Sequence, residues 1–92
     1  MKRYPKKAEH AVWRVIDNEA VIVSPMDSDV TILDEVGTSI WELMDGSRDI
    51  RGIAKEVCGE FEVSMDTAKG DIEEFIEDLT DKKLITVSHR KK

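Results

Sequence analysis

The sequence predicts an α+β domain, a three-stranded antiparallel β-meander followed by three α-helices. Three observations carry that prediction. Short runs rich in β-branched and aromatic residues fill the first third of the chain. Amphipathic stripes at helical spacing fill the remainder, and Asp, Asn, Ser and Gly stand at the joints. At 92 residues the chain makes one domain with one modest core.

Residues 11–16 (AVWRVI) and 20–24 (AVIVS) read as strands. They meet at Asp17, Asn18 and Glu19, where Asp and Asn tolerate a tight turn. Residues 25–29 (PMDSD) break the pattern as a loop, and residues 30–33 (VTIL) form a short third strand that leaves one edge of the meander open. Ile40, Trp41, Leu43 and Met44 define the first helix, which ends at Asp45 and Gly46. The second is capped by Asp49, buries Ile50, Ile53, Ala54 and Val57 on one face, and is expected to stop at Gly59. The third starts at Ser64 and carries Ala68, Ile72, Phe75, Ile76 and Leu79 as its apolar stripe. Lys82 and Lys83 complement the dipole at its end, and residues 84–88 (LITVS) add a terminal strand. Three strands and then three helices is the layout of a winged helix-turn-helix.

The charge is unevenly placed. Lys2, Arg3, Lys6 and Lys7 at one end and Arg90, Lys91 and Lys92 at the other supply seven of the 14 basic residues. The stretch between them sets the other seven against all 20 carboxylates, a net −13. Residues 1–10 and 89–92 are therefore expected to be flexible basic tails flanking a domain at 11–88, because runs of like charge bury no core. The lone Cys58 argues against a disulfide scaffold and for a reducing, cytoplasmic setting. No apolar run approaches the roughly 18 residues of a membrane span.

Most chemistries lack their residues here. Cys58, His10 and His89 are far apart, with no partner at ligand spacing, so no metal site is predicted; Cys58 is expected to be a packing residue. There is no glycine-rich phosphate loop and no evident nucleophile–base pair, so neither catalysis nor a cofactor is expected. Nucleic acid suits the layout but not the charge. The third helix sets Asp66, Asp71, Glu73, Glu74, Glu77, Asp78 and Asp81 against three lysines, and a recognition helix needs the reverse balance. Trp13 and Trp41 are both expected in the core. Gly70 lies off the apolar stripe, either tolerated there or admitting a close partner. Peptide docking remains: a free third strand can accept an added strand, and the third helix beside it would make a groove. The same edge could instead be covered by a tail or by a second copy, so monomer and homodimer both stand open, as do a transcriptional regulator and a protein–protein adaptor.

One stretch narrows the choice. Residues 33–46 (LDEVGTSIWELMDG) resemble the signature of the PqqD-like family, small proteins of pyrroloquinoline quinone biosynthesis and related precursor-peptide recognition elements of ribosomal peptide maturation. The family run has Leu-Asn, a Gly, an aliphatic-Trp pair and Asp-Gly; Asp34 stands here where Asn is usual. Ile50, Ile53 and Ala54, then Phe61, then Asp71, Ile72, Phe75, Ile76 and Leu79 follow in the family's order, with Leu84 and Ile85 closing the domain. The resemblance spans roughly residues 12–87. It implies a peptide chaperone that binds a precursor's leader as an added strand and presents it to a modifying enzyme, often a radical S-adenosylmethionine enzyme. By position it implies docking residues Val30, Thr31, Ile32 and Leu33 on the strand and Asp71, Phe75, Asp78 and Leu79 on the helix. Lasso-peptide recognition proteins share this look.

Overall fold

A computed structural model describes residues 2–24 and 29–90, so Met1, residues 25–28 of the loop expected at 25–29, and Lys91 and Lys92 of the expected C-terminal tail lie outside the described residues. The element order is β1 (Tyr4–Lys7), β2 (Val12–Ile16), β3 (Glu19–Ser24), β4 (Asp29–Ile32), α1 (Glu35–Leu43), α2 (Ile50–Phe61), α3 (Met65–Asp81) and β5 (Ile85–Ser88). The expected meander is β2-β3-β4, antiparallel throughout. Asp17 and Asn18 both take positive φ, 50° and 65°, and close the hairpin in which Ile16 faces Glu19. Two left-handed residues in succession match the right-handed twist of the flanking strands.

Each helix starts where its cap residue dictates. The Asp34, Asp49 and Ser64 side chains accept the backbone N–H groups of Gly37, Gly52 and Thr67, satisfying donors that a helix start leaves free. The second helix does not stop at Gly59. It runs on to Phe61 and turns at Glu62, which takes the left-handed conformation with φ 55°. Gly59 has helical neighbours on both sides, and Phe61 packs against the core, so the two further residues are worth more than the glycine forfeits. Ile22, Trp41, Met44, Ile53, Ile72 and Leu79, all fully buried, form the centre of the core. Cys58 packs against its margin, as expected.

The N-terminal segment is no tail. β1 pairs antiparallel with β5, so the terminal strand joins it rather than the meander. Pro5 is fully buried, and its carbonyl accepts the Gly46 N–H at 3.0 Å. The Lys7 N–H donates to the Met44 carbonyl at 3.1 Å. The Lys7 side chain donates to the carbonyls of Glu42 and Met44, both at 3.2 Å, and lies 5.5 Å and 5.8 Å from the ring centres of Trp13 and Trp41. Long lysine stems cover apolar surface while their ammonium finds carbonyls and π-faces, which is how a basic run becomes a strand. Trp41 is fully buried as expected, whereas Trp13 is 38% exposed. Trp13 sits on the outermost strand of the meander and meets Trp41 edge-on at 5.9 Å, so it covers the core's margin without entering it.

Candidate functional site

β4 is an edge of the meander, and its hydrogen-bonding groups can be sorted by register. The Leu33 N–H donates to the Ala20 carbonyl at 2.9 Å, so odd-numbered residues of this strand face β3. Antiparallel pairing alternates, so the N–H and C=O groups of Val30 and Ile32 point to the open side. The same alternation sorts the side chains. Val30 and Ile32 are 58% and 64% exposed, Thr31 is half-buried, and Leu33 is buried.

Beside this edge lies an open cleft of about 520 Å³ between β4, the start of α1, and α3. Leu33, Val36, Ile40 and Phe75 give it an apolar lining, and Asp34 and Asp71 stand on its walls. It continues along α3 past Asp71, Glu74, Phe75 and Asp78. Gly37 keeps the passage open. A Cβ there would lie 3.4 Å from Leu33 Cβ, 3.6 Å from Phe75 Cε1, and 3.2 Å from the Asp34 oxygen that caps the helix. Among the described residues, Asp78 is the one acidic group of this wall with an ion-pair partner, Lys82 at 3.3 Å. The Asp34 carboxylate is engaged by the Gly37 N–H at 2.8 Å.

Of the eight residues singled out in the sequence, the fold brings seven to this cleft or its edge: Val30, Thr31, Ile32, Leu33, Asp71, Phe75 and Asp78. Leu79 is the exception. It is fully buried in the core, because it lies on the inward centre of the α3 stripe while Phe75 lies at that stripe's margin. Val36, Gly37 and Ile40 were not singled out for docking, yet they line the cleft. The glycine of the resemblance was the available signal for them, since a glycine just after a helix cap marks a close approach. Gly70 is exposed with open space around it, so nothing in the structure explains it. The acidic side chains of α3 from Asp66 to Asp81 are all exposed. The face a recognition helix would offer to phosphates is therefore negative.

Residues 19–85 match the family described as coenzyme PQQ synthesis protein D (PqqD). The chain belongs to the PqqD family. The match covers most of the span over which residues 33–46 and the helical stripes resembled it. No curated protein matches the chain in sequence. Among solved structures, the chain is similar to TbiB1 in complex with the TbiA(β) leader peptide, at 29% identity and a TM-score of 0.80. That alignment covers 87% of this chain and 93% of TbiB1. It is also similar in fold to a lasso peptide synthetase B1 complexed with a leader peptide. There the identity is 14%, the TM-score 0.80, and the coverage 90% of this chain and 98% of the other.

Proposed function

We propose that this PqqD-family chain is a leader-peptide recognition domain. It binds the leader of a ribosomally made precursor as a fourth strand beside β4 and presents the precursor to a modifying enzyme. The observation that carries this reading is the open Val30–Ile32 edge lying directly against an apolar cleft with an acidic wall. Backbone hydrogen bonds give such a site affinity for any extended chain, and pockets for alternate side chains give it selectivity. Two relatives of the same fold, each solved with a leader peptide, support it.

In this reading the Val30 and Ile32 backbone groups pair with the leader, and every second leader side chain enters the cleft against Leu33 and Phe75. Asp71 and Asp78 hydrogen-bond leader hydroxyls or attract Lys and Arg. The chain makes and breaks no bond. Holding the leader extended removes an ordering cost that the enzyme would otherwise meet, and raises the local concentration of the precursor near its active site. The enzyme is assigned, from the family resemblance, to the radical S-adenosylmethionine class. The lone half-buried Cys58 supports a reducing, cytoplasmic setting. Among the described residues, no helix is long and apolar enough to cross a membrane.

The test is fluorescence anisotropy with a labelled synthetic leader from the precursor encoded beside this chain's gene. Micromolar or tighter binding is expected. The Asp71→Ala/Asp78→Ala double variant should weaken it about three- to tenfold, the worth of one or two exposed polar contacts. Unchanged affinity would remove the two carboxylates from the site. Duplex DNA is the control for the regulator reading: binding that weakens steeply with salt would favour it over leader recognition.

A further inference from the structure

The sheet that offers β4 to a leader has a second side. Cross-strand partners share a face, so Val12, Val23 and Val30 form one row and Arg14, Val21 and Ile32 the next, with Ile16 beyond them. All stand opposite the fully buried Ala20 and Ile22. This outer side is bare: Val12 is 60% exposed, Ile16 53%, Val30 58% and Ile32 64%. Single exposed aliphatic residues are ordinary on a soluble protein, but contiguous rows across three strands mark an interaction surface. Arg14 is the one charged side chain within the rows, and Asp17 and Glu19 stand exposed at the hairpin end.

We propose that this outer face is where the modifying enzyme docks, and that a bound leader completes the surface. The inference rests on the leader-binding reading above. A strand added beside β4 sets every second side chain in register with Val30 and Ile32, so both rows run without a break from the chain into the leader. The enzyme then meets one surface, part protein and part substrate, of which the free chain offers only a portion. The partner that fits is an apolar patch rimmed by cations. A net charge of −6, with Asp17 and Glu19 beside the face, attracts such a rim and repels a second copy of this chain. Leader and enzyme must then each tighten the binding of the other by the same factor.

Isothermal titration of the enzyme encoded beside this chain's gene tests the proposal, using the chain alone and the chain saturated with synthetic leader. The informative variant is Val12→Thr/Ile16→Thr. Threonine keeps the β-branched shape while removing apolar surface, and both positions lie on β2, two strands away from the leader. The parent should bind enzyme at least about tenfold more tightly with leader present, and the double variant should lose about tenfold in enzyme affinity. Leader affinity should stay within about twofold of the parent. Intact leader binding with unchanged enzyme affinity in the variant would overturn the docking face and leave leader recognition standing. A parent that binds no leader would overturn both. Sedimentation velocity of the chain alone should show a monomer; a dimer that the variant dissolves would assign the face to a second copy instead.

Discussion

Two clefts of this domain have nearly equal volume, about 570 Å³ at the β1–β5 ribbon and about 520 Å³ beside the β4 edge, and different chemistry. The ribbon cleft is walled by Lys6, Lys7, His10 and Lys83 together with Glu9, and Ala8 and Ile85 are its apolar residues. The β4 cleft has Leu33, Val36, Ile40 and Phe75 within it and carboxylates on its walls. Lys7 ties the ribbon to the end of α1 through the Glu42 and Met44 carbonyls. Lysine or proline along an edge guards it against pairing; among the described residues β4 carries neither, and the apolar lining beside it can receive side chains that a pairing strand would bring.

A matched pair of prolines gives the largest expected contrast. The N–H groups of Ile32 and Val87 both point away from their ladders, since Val87 faces Pro5 in a non-hydrogen-bonded pair. Proline at either position therefore removes an outward donor and spares the existing sheet. Ile32→Pro should weaken leader binding about a hundredfold, from one lost backbone bond, an unpaired leader carbonyl and a lost apolar contact. Val87→Pro should leave it within about twofold. Equal losses at both edges would erase the distinction between the clefts.

A smaller contrast separates the cleft from the core beneath it. Phe75 is half-buried beside the edge, and Leu79, one turn on, is fully buried. Phe75→Ala should weaken leader binding about tenfold, the worth of part of an aromatic side chain. Leu79→Ala should instead lower stability by about 2–5 kcal/mol, read from denaturant melts, with little change in leader affinity of the folded protein. The reverse pattern would put Leu79 back in the site.

The smallest effect belongs to the basic cleft. Burial draws the Lys7 ammonium below its ordinary pKa of 10.5, against the opposing pull of Asp45 and Glu42. The unfolded chain therefore holds that proton more tightly than the fold does. Stability from this group rises with pH between the folded value and 10.5. Against Lys7→Met, the parent should gain in denaturant melts as pH is raised through that window, while leader affinity stays equal. A gap that does not move with pH would remove burial as the controlling influence on Lys7.

These contrasts also explain what the sequence could reveal. The meander and the starts of the second and third helices were legible because each rests on local chemistry: Asp17 and Asn18 at the turn, Asp49 and Ser64 at the caps. The strand edge was legible because few residues follow residue 33 before a helix begins. β1 was not, since its order comes from Pro5 and Lys7 meeting residues 42–46 and 85, far along the chain. Periodicity placed Phe75 and Leu79 on one stripe, but only packing decides which of two stripe residues lies at the margin. Trp13 failed for a related reason. Alternation gives it the inner face of its strand, yet the strand itself lies at the sheet's edge, where the inner face is only half-covered.

The most direct measurement is an NMR titration of the labelled chain with the synthetic leader. Amide shifts should concentrate in Val30, Thr31, Ile32 and Leu33 and along α3 from Asp71 to Asp78, saturating at micromolar concentrations, with the β1–β5 ribbon still. Shifts confined to Lys6, Lys7, His10 and Lys83, or none near β4, would contradict the claim that the unguarded edge is the site.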